Sequence, residues 1–364
     1  MPAEWEPHQA TWIAWPHNRS DWPGKFEAIP WVYAEIVRHL ARSERVSILV
    51  NDEATEAKAR EVLVRTTVLP QEAVDPGSPS GNIAFVQIPT NRVWTRDYGP
   101  IFVKREVKRK SSKADQFPSV AATAWRFNAW AKYNDWKLDA PVSAELAERL
   151  GIPHWKPIVH INGKPWRVVL EGGSIDVNGR GTLITTEECL LSEVQQRNPG
   201  LSRQALEGIL ADYLGVKKVI WLERGIAGDD THGHVDDITR FVAPSTVITA
   251  YEEERRDPNH EPLRENLRKL TKSTDQSGKP LKVVKLPMPA PVVFRGQRLP
   301  ASYANFYIAN RVVLVPVFND PRDRLALNLL AELFPKRQIV GIYCGDFIWG
   351  LGAMHCMTQQ QPAP

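Results

Sequence analysis

Apolar and polar residues alternate most regularly towards the C-terminal end of the chain. "SYANFYIAN" and "RVVLVPVF" carry the two-residue period of strands, with Asn310-Arg311 near the turn between them. "PRDRLALNLLAELFP" then changes to a helical period that predicts Leu325, Leu329, Leu330 and Leu333 on one face. "RQIVGIY" returns to strand. The order is strand, strand, helix, strand.

The same order recurs upstream. "RVVLEGGSIDV" and "GTLITTEECLL" flank an Asn-Gly-Arg-Gly turn. They precede the helix pattern "SRQALEGILADYLG", with Ser202 as N-cap and Gly215 just past its end, and then the strand "KKVIWL". "DDITRFV" and "STVITAY" lead to the helix "EPLRENLRKLTKST" and the strand "LKVVKLP". "DYGPIFVK" and "AATAWRF" lead to "APVSAELAERLG". The N-terminal part fits more loosely, as "ATWIAWP", the helix "PWVYAEIVRHLARS" and "VSILV". About five units of roughly 50 to 70 residues predict a solenoid, a propeller or a closed array. Because each unit contains a helix, the expected class is α/β with short mixed sheets; the competing reading is ordinary strand–helix alternation.

Length and composition narrow this picture. A chain of 364 residues suits two or three ordinary domains or one large closed architecture. Hydrophobic residues at 43% and charged residues at 24% are ordinary for a globular protein. A net charge of +4 is too mild to imply nucleic acid. The basic run Lys104-Arg105-Glu106-Val107-Lys108-Arg109-Lys110 lies between strand patterns and reads as a solvated hairpin loop. Three cysteines, Cys189, Cys344 and Cys356, are too few and too scattered for a disulfide framework or a structural zinc site, and point to a reducing compartment. The start lacks the pattern of a signal peptide, and no apolar run approaches the ~20 residues of a membrane helix. A cytoplasmic protein with neither nucleic-acid nor membrane partners is expected, and association of identical chains stays open.

Candidate chemistry sits at the unit starts. "WTRDYGP" holds Asp97, "LEGGSID" holds Glu171, "DDTHGHVDD" holds His232, His234, Asp236 and Asp237, and the last segment holds His355 and Cys356. Singly each signal is weak: Asp97 also reads as a turn residue, Glu171 as the edge of a bulge, and Cys356 as a small buried hydrophobe. If the units surround an axis, these starts converge. On a strand, His232, His234 and Asp236 would share a face, a pattern also found in binuclear metal hydrolases. Metal sites need three or more converging ligands, and no further histidine-rich motif follows. A guanidinium substrate accounts for more residues. Two carboxylates hold its fork of donors, a thiolate attacks the central carbon, a histidine moves protons, and a third carboxylate orients the histidine.

These residues resemble the guanidine-modifying enzymes, in the branch of agmatine deiminases and bacterial, Porphyromonas-type peptidylarginine deiminases. "MPAEWEPHQATWIAWP", "WTRDYGPIFV", "WRFNAW", "LEGGSIDVNGRGTLITTEECLL", "KKVIWLERGI", "GHVDD", "SYANFYIAN" and "HCMTQQQPA" occur in the family's order across essentially the whole chain. The resemblance implies one catalytic domain over residues 1–364, folded as a pseudo-symmetric five-bladed α/β propeller (the pentein fold) of ββαβ modules, without metal or organic cofactor. It implies Cys356 as nucleophile, His234 as general acid and base, Glu171 as the carboxylate orienting it, and Asp97 and Asp236 as guanidinium ligands. Trp94 and Arg96 would shape the substrate site, and His355 would be structural.

The implied reaction converts agmatine and water to N-carbamoylputrescine and ammonia, a step towards putrescine. Peptidyl-arginine or another small guanidine is the alternative substrate, and an inactive binding protein or a metal hydrolase the alternative class. Three stretches depart from the family pattern: Thr231-His232-Gly233-His234, Ala131 to Trp136, and Gly350 to Met354. All three bear on the walls of the substrate site, where Lys132 is a cation available to a ligand carboxylate.

Overall fold

The computed structural model describes residues 1–73, 81–105, 119–161 and 163–364. Four three-stranded sheets follow one path: an antiparallel pair, a helix, then a strand parallel to the second. The first runs Ile101–Lys104, Val120–Thr123, helix Val142–Arg149, His154–Trp155. The second runs Asp176–Val177, Thr182–Thr186, helix Arg203–Leu214, Lys218–Leu222. The third runs Thr239–Ala243, Thr246–Tyr251, helix His260–Thr271, Lys282–Pro287. The fourth runs Tyr307–Ile308, Val312–Val317, helix Pro321–Leu333, Gln338–Tyr343. Within the basic run, residues 106–110 lie outside the described residues; the strands on either side, Ile101–Lys104 and Val120–Thr123, pair antiparallel.

The N-terminal unit explains its own looseness. His8–Ala14, helix Ile29–Leu40 and the parallel strand Arg45–Val50 lack a preceding antiparallel strand. That strand comes from the other end of the chain: Gln359–Pro362 pairs antiparallel with His8–Ala14. Helix Glu53–Arg65 and strand Ile83–Gln87 extend the same sheet, giving it four strands. The glutamine side chains bond across the sheet and its surroundings, with Gln359 Oε1 alone among their bonded amides left without a partner. Gln361 Oε1 accepts from Trp12 Nε1 (2.9 Å), Gln360 Oε1 accepts from Arg96 Nη1 (2.6 Å), and Gln359 Nε2 donates to the Pro100 carbonyl (2.6 Å). A strand that starts three residues after Cys356 is thereby tied into the sheet.

Local signals hold where the chain decides them alone. The Ser202 side chain accepts from Ala205 N, and Gly215 takes the left-handed conformation (φ 70°) that ends the helix. The face of helix Pro321–Leu333 differs from the expected one. Ala326 and Leu330 are buried, but Leu325 is 59% exposed. The helix rests on the flanking strands Lys282–Pro287 and Gln338–Tyr343, and their position selects the Ala326–Leu330 stripe. The largest apolar cluster joins the first unit to the segments before Cys356, with Trp22, Tyr33, Trp94, Phe127, Trp130 and Phe347 packed together. Full burial of such side chains contributes about 1.5–3 kcal/mol each. Among the described residues, no helix is long and apolar enough to cross a membrane.

Candidate active site

The polar residues that open the units meet in the interior. Asp97 lies on the short helix Thr95–Tyr98, Glu171 just before the turn Gly172–Ser174, and Asp236 in the turn Val235–Asp237, with His234 just ahead of it. His234 Nδ1 is 3.9 Å from Asp97 Oδ1 and 4.0 Å from Asp236 Oδ1, and its Nε2 is 3.9 Å from Glu171 Oε2. Cys356 Sγ is 3.8 Å from Asp236 Oδ2. Gly173 makes this approach feasible: a Cβ there would lie 2.6 Å from His234 Nδ1 and 2.9 Å from both Asp97 Oδ1 and Asp236 Oδ2. Its N–H donates to Asp97 Oδ1 (3.0 Å).

A cavity of about 330 Å³ opens above this floor, lined by Trp94, Asp97, Trp130, Thr231, Gly352 and Cys356 among others. Trp94 therefore stands where expected. Gly352 lets it approach, since a Cβ there would be 2.7 Å from the indole. Arg96 does not line the cavity. Its guanidinium points the other way, to Gln360, Glu4 and the His355 carbonyl. Trp130 went unrecognised in the sequence, although it lies in "WRFNAW". Ala129, Trp130 and Ala131 all have positive φ (49°, 58° and 53°), and this strained turn aims the Trp130 indole at Asp97 Oδ2 (2.9 Å).

The segment around His234 is not a strand. His232 (φ 62°) and Gly233 (φ 90°) are left-handed, and the Asp229 carboxylate accepts from the N–H groups of Thr231, Gly233 and His234 (2.8, 2.7 and 3.1 Å). This turn sends the His232 ring to Ser192 Oγ (3.2 Å) and His234 to the centre, so the expected shared face of His232, His234 and Asp236 does not form. The set that comes within ligating reach is different: Glu171, Cys189 and His234 place ligand atoms within 4.8 Å of one another. A thiol, a carboxylate and an imidazole could together hold a thiophilic divalent ion. Cys189 carried no sequence signal for this position beyond lying in "TTEECLL".

Electrostatics separate the carboxylates. Burial, aided by Asp236 and Glu171, raises the Asp97 carboxyl to about 6 against the pull of His234. Burial acts the same way on Glu171, but the Arg197 guanidinium (3.1 Å) and His234 outweigh it and bring the group to about 2. Burial of Asp236 is likewise outweighed by His355, whose Nδ1 is 2.7 Å from Oδ2, so its pKa is lowered. Burial disfavours the His234 imidazolium, yet Asp97, Cys189 and Glu171 hold its pKa well above the ordinary histidine range. The Cys356 thiol is pushed well up by burial and then by Asp236, Asp237 and Asp97. Glu171 Oε2, Asp236 Oδ1 and both ring nitrogens of His234 are buried without a hydrogen-bond partner. Such atoms are costly unless something else fills their valence.

Comparison with known proteins places the chain. A family model described as Porphyromonas-type peptidyl-arginine deiminase matches residues 1–362. The chain is 37% identical to an agmatine deiminase of Medicago truncatula over 100% of its own length and 96% of the relative's. It is 35% identical to a putative agmatine deiminase of Legionella pneumophila, covering 100% and 95% of the two chains. Its fold matches a solved agmatine deiminase of Enterococcus faecalis with a TM-score of 0.84 at 32% identity, over 100% of this chain and 95% of that one. With a family model spanning nearly every residue and relatives matched end to end, the chain belongs to the Porphyromonas-type peptidyl-arginine deiminase family.

Proposed function

We propose that this protein is an agmatine deiminase, hydrolysing agmatine to N-carbamoylputrescine and ammonia on the way to putrescine. We read residues 1–364 as one catalytic domain, with the five units arranged as a five-bladed α/β propeller. The three unpaired cysteines fit a reducing compartment, and the cytoplasm is the proposed location. Relatives at 35–37% identity carry the agmatine deiminase name; Trp94, Asp97 and Cys356 line one cavity, and His234, Glu171 and Asp236 lie buried behind it, in contacts within 4.0 Å of Asp97 or of one another.

The carrying observation is the set of unfilled valences: Glu171 Oε2, Asp236 Oδ1 and both nitrogens of His234. A guanidinium lies between Asp97 and Asp236, with charge-assisted hydrogen bonds to both. Its positive charge offsets the carboxylates that hold the Cys356 thiol up, so docking favours the thiolate where it is needed. Sulfur bonds to the central carbon. His234, kept protonated by its neighbours, passes a proton to the departing nitrogen as the C–N bond breaks and ammonia leaves. The neutral His234 then takes one proton from water as its oxygen bonds to the carbon of the thiouronium; the C–S bond breaks with its electrons returning to Cys356 Sγ, and the remaining hydroxyl proton passes to solvent, where it offsets the protonation of the released ammonia. Glu171, anchored by Arg197, holds the imidazole throughout.

A cavity of about 330 Å³ suits a slim ligand better than a peptide backbone. Its outer wall is of mixed charge: Asp230 pairs with Lys132 and accepts from Tyr133 Oη (2.6 Å), and Asp21 pairs with Arg92 (2.8 Å). The test is ammonia release from agmatine, free arginine and capped arginine peptides. Agmatine should be the fastest substrate, and faster citrullination of the peptides would overturn the reading.

A further inference from the structure

Glu171, Cys189 and His234 come from three separate segments, and one hydroxyl holds two of them in register. Cys189 lies on the short helix Glu187–Leu191, whose N-cap is Thr186. Thr186 Oγ1 accepts from the Cys189 N–H (3.0 Å) and donates to the Gly233 carbonyl (2.5 Å), next to His234. Arg197 fixes the third. Its Nε donates to Glu171 Oε1 (3.1 Å), and its terminal nitrogens donate to the carbonyls of Gln195 and Thr231. Glu171 Oε2 is left without a hydrogen bond, and so is His234 Nε2, 3.9 Å away. The Cys189 sulfur completes a set whose ligand atoms all lie within 4.8 Å of one another. None of the three residues is more than 1% exposed. Cys356 is not a member of the set; its sulfur faces Asp236 (3.8 Å).

Sulfur, nitrogen and oxygen together suit a thiophilic ion and not a hard one such as magnesium. Zinc holds such atoms at about 2.0–2.3 Å in a tetrahedron, so its ligands stand about 3.3–3.6 Å apart. Small side-chain shifts close the 3.9 Å between Nε2 and Oε2 to that spacing. Glu171 has one oxygen held by a guanidinium and the other free, the way an outer partner orients a ligating carboxylate. Arg197 opposes the charge of an ion. Glu171, a Cys189 thiolate, and Asp97 and Asp236 on the other side of the ring (3.9 and 4.0 Å from Nδ1) outweigh it. Three protein ligands leave the fourth position to water.

We propose that Glu171, Cys189 and His234 form an inhibitory site for zinc or a similarly thiophilic divalent ion. As the metal–sulfur and metal–nitrogen bonds form, the thiol proton and any proton on Nε2 pass to solvent. A ring held this way cannot cycle between imidazolium and imidazole, which the proposed proton transfers require. The inhibition therefore rests on the reading of His234 as acid and base; the binding does not. Two measurements keep them apart. In the first, cobalt(II) chloride is added as a spectroscopic substitute for zinc to Cys356→Ala protein, with no guanidine present. A thiolate-to-cobalt charge-transfer band should appear in the near ultraviolet and be missing from the Cys189→Ala/Cys356→Ala double variant. In the second, enzyme is preincubated with zinc chloride, because the ligands are buried, and agmatine turnover is expressed relative to each protein's own zinc-free rate. The wild type should be inhibited and recover with EDTA, and Cys189→Ala should need about 10- to 100-fold more zinc or beyond. If Cys189→Ala does not fold, Cys189→Ser takes its place. A band without inhibition of the wild type would uphold the site and count against the role of His234. No band in Cys356→Ala, a band that survives in the double variant, or equal zinc potency on wild type and Cys189→Ala would overturn the proposal.

Discussion

Two buried histidines flank Asp236 and stand in opposite surroundings. His355 sits with Nδ1 2.7 Å from Asp236 Oδ2 and Nε2 2.8 Å from Glu4 Oε2. Glu4 is in turn paired with Arg96 (3.3 Å) and Arg240 (2.9 Å), and Arg240 reaches Asp176 and the carbonyl of Phe306. His234, equally buried, has three carboxylates at 3.9–4.0 Å and no hydrogen bond to either ring nitrogen. The first region is a dense ionic network in which both His355 ring nitrogens are paired, although Arg240 Nη2, 2.9 Å from Glu4, makes no well-directed hydrogen bond. The second keeps its desolvation unmatched, which a folded chain sustains only where the rest of the structure holds it in place. Asp236 belongs to both: one oxygen is tied to His355 and the other is free. On the proposed reading, the histidine with both nitrogens paired holds the site, and the histidine with neither paired acts in it.

The widest separation between the two regions should come from Cys356 and the histidines. Cys356→Ala should abolish turnover with an unchanged melting temperature, and a haloacetamidine should label Cys356 in the wild type. Labelling at Cys189 or Cys344 instead would break the assignment. His234→Ala should lower kcat by about 100- to 10,000-fold, with a smaller stability loss than His355→Ala because its carboxylates stand at 3.9–4.0 Å rather than in hydrogen bonds. His355→Ala should remove about 3–5 kcal/mol of stability, chiefly by leaving Asp236 buried without its ion-pair partner, while Glu4 keeps Arg96 and Arg240. Equal stability losses in the two histidine variants would erase the contrast.

The aspartates sharpen it next. Asp97→Asn and Asp236→Asn should each lower kcat/KM by about tenfold to a thousandfold, because each removes a charge from the proposed guanidinium ligands. Only Asp236→Asn should also lower the melting temperature, since Asp97 has no partner in the His355 network.

A smaller effect follows from pH. The Asp97 carboxyl is raised to about 6, so it is ionised above that value and protonated below it. Binding of a cation should weaken as pH falls through about 6, and kcat/KM should show that acidic limb in the wild type but not in Asp97→Asn. The smallest expected effect is from chelation. In the proposed course sulfur attacks and His234 moves the protons, so EDTA should leave activity unchanged, and loss of activity rescued by a divalent ion would revive a metal-dependent reading.

Much of this was legible in the chain. Strand and helix periods, the cap at Ser202 and the stop at Gly215 are short-range, so each unit could be read from its own residues. Asp97, Glu171, His234 and Asp236 stood out because buried-looking acids and a histidine recur at unit starts. Arg96 shows the limit: adjacent to Asp97, it turns its guanidinium to the far side of the same short helix. Trp130 was hidden in a stretch that reads as turn, and nothing local distinguishes an indole aimed at Asp97 from one aimed at solvent.

The sequence by itself determined the succession of units, the helix ends and the chemical inventory of the site, because these depend on neighbours within a few residues. Tertiary structure alone decided the rest. It supplied the missing strand of the first unit from residues 359–362, chose Ala326 and Leu330 over Leu325 as the buried stripe, and sent His234 inward but His232 to Ser192. It also tied one buried histidine between Glu4 and Asp236 and left both ring nitrogens of the other without a hydrogen bond. The physical reason is that burial and hydrogen-bond saturation are set by partners far apart in the chain. His355 is fixed by Glu4 from the opposite terminus, and no local period encodes whether such a partner arrives.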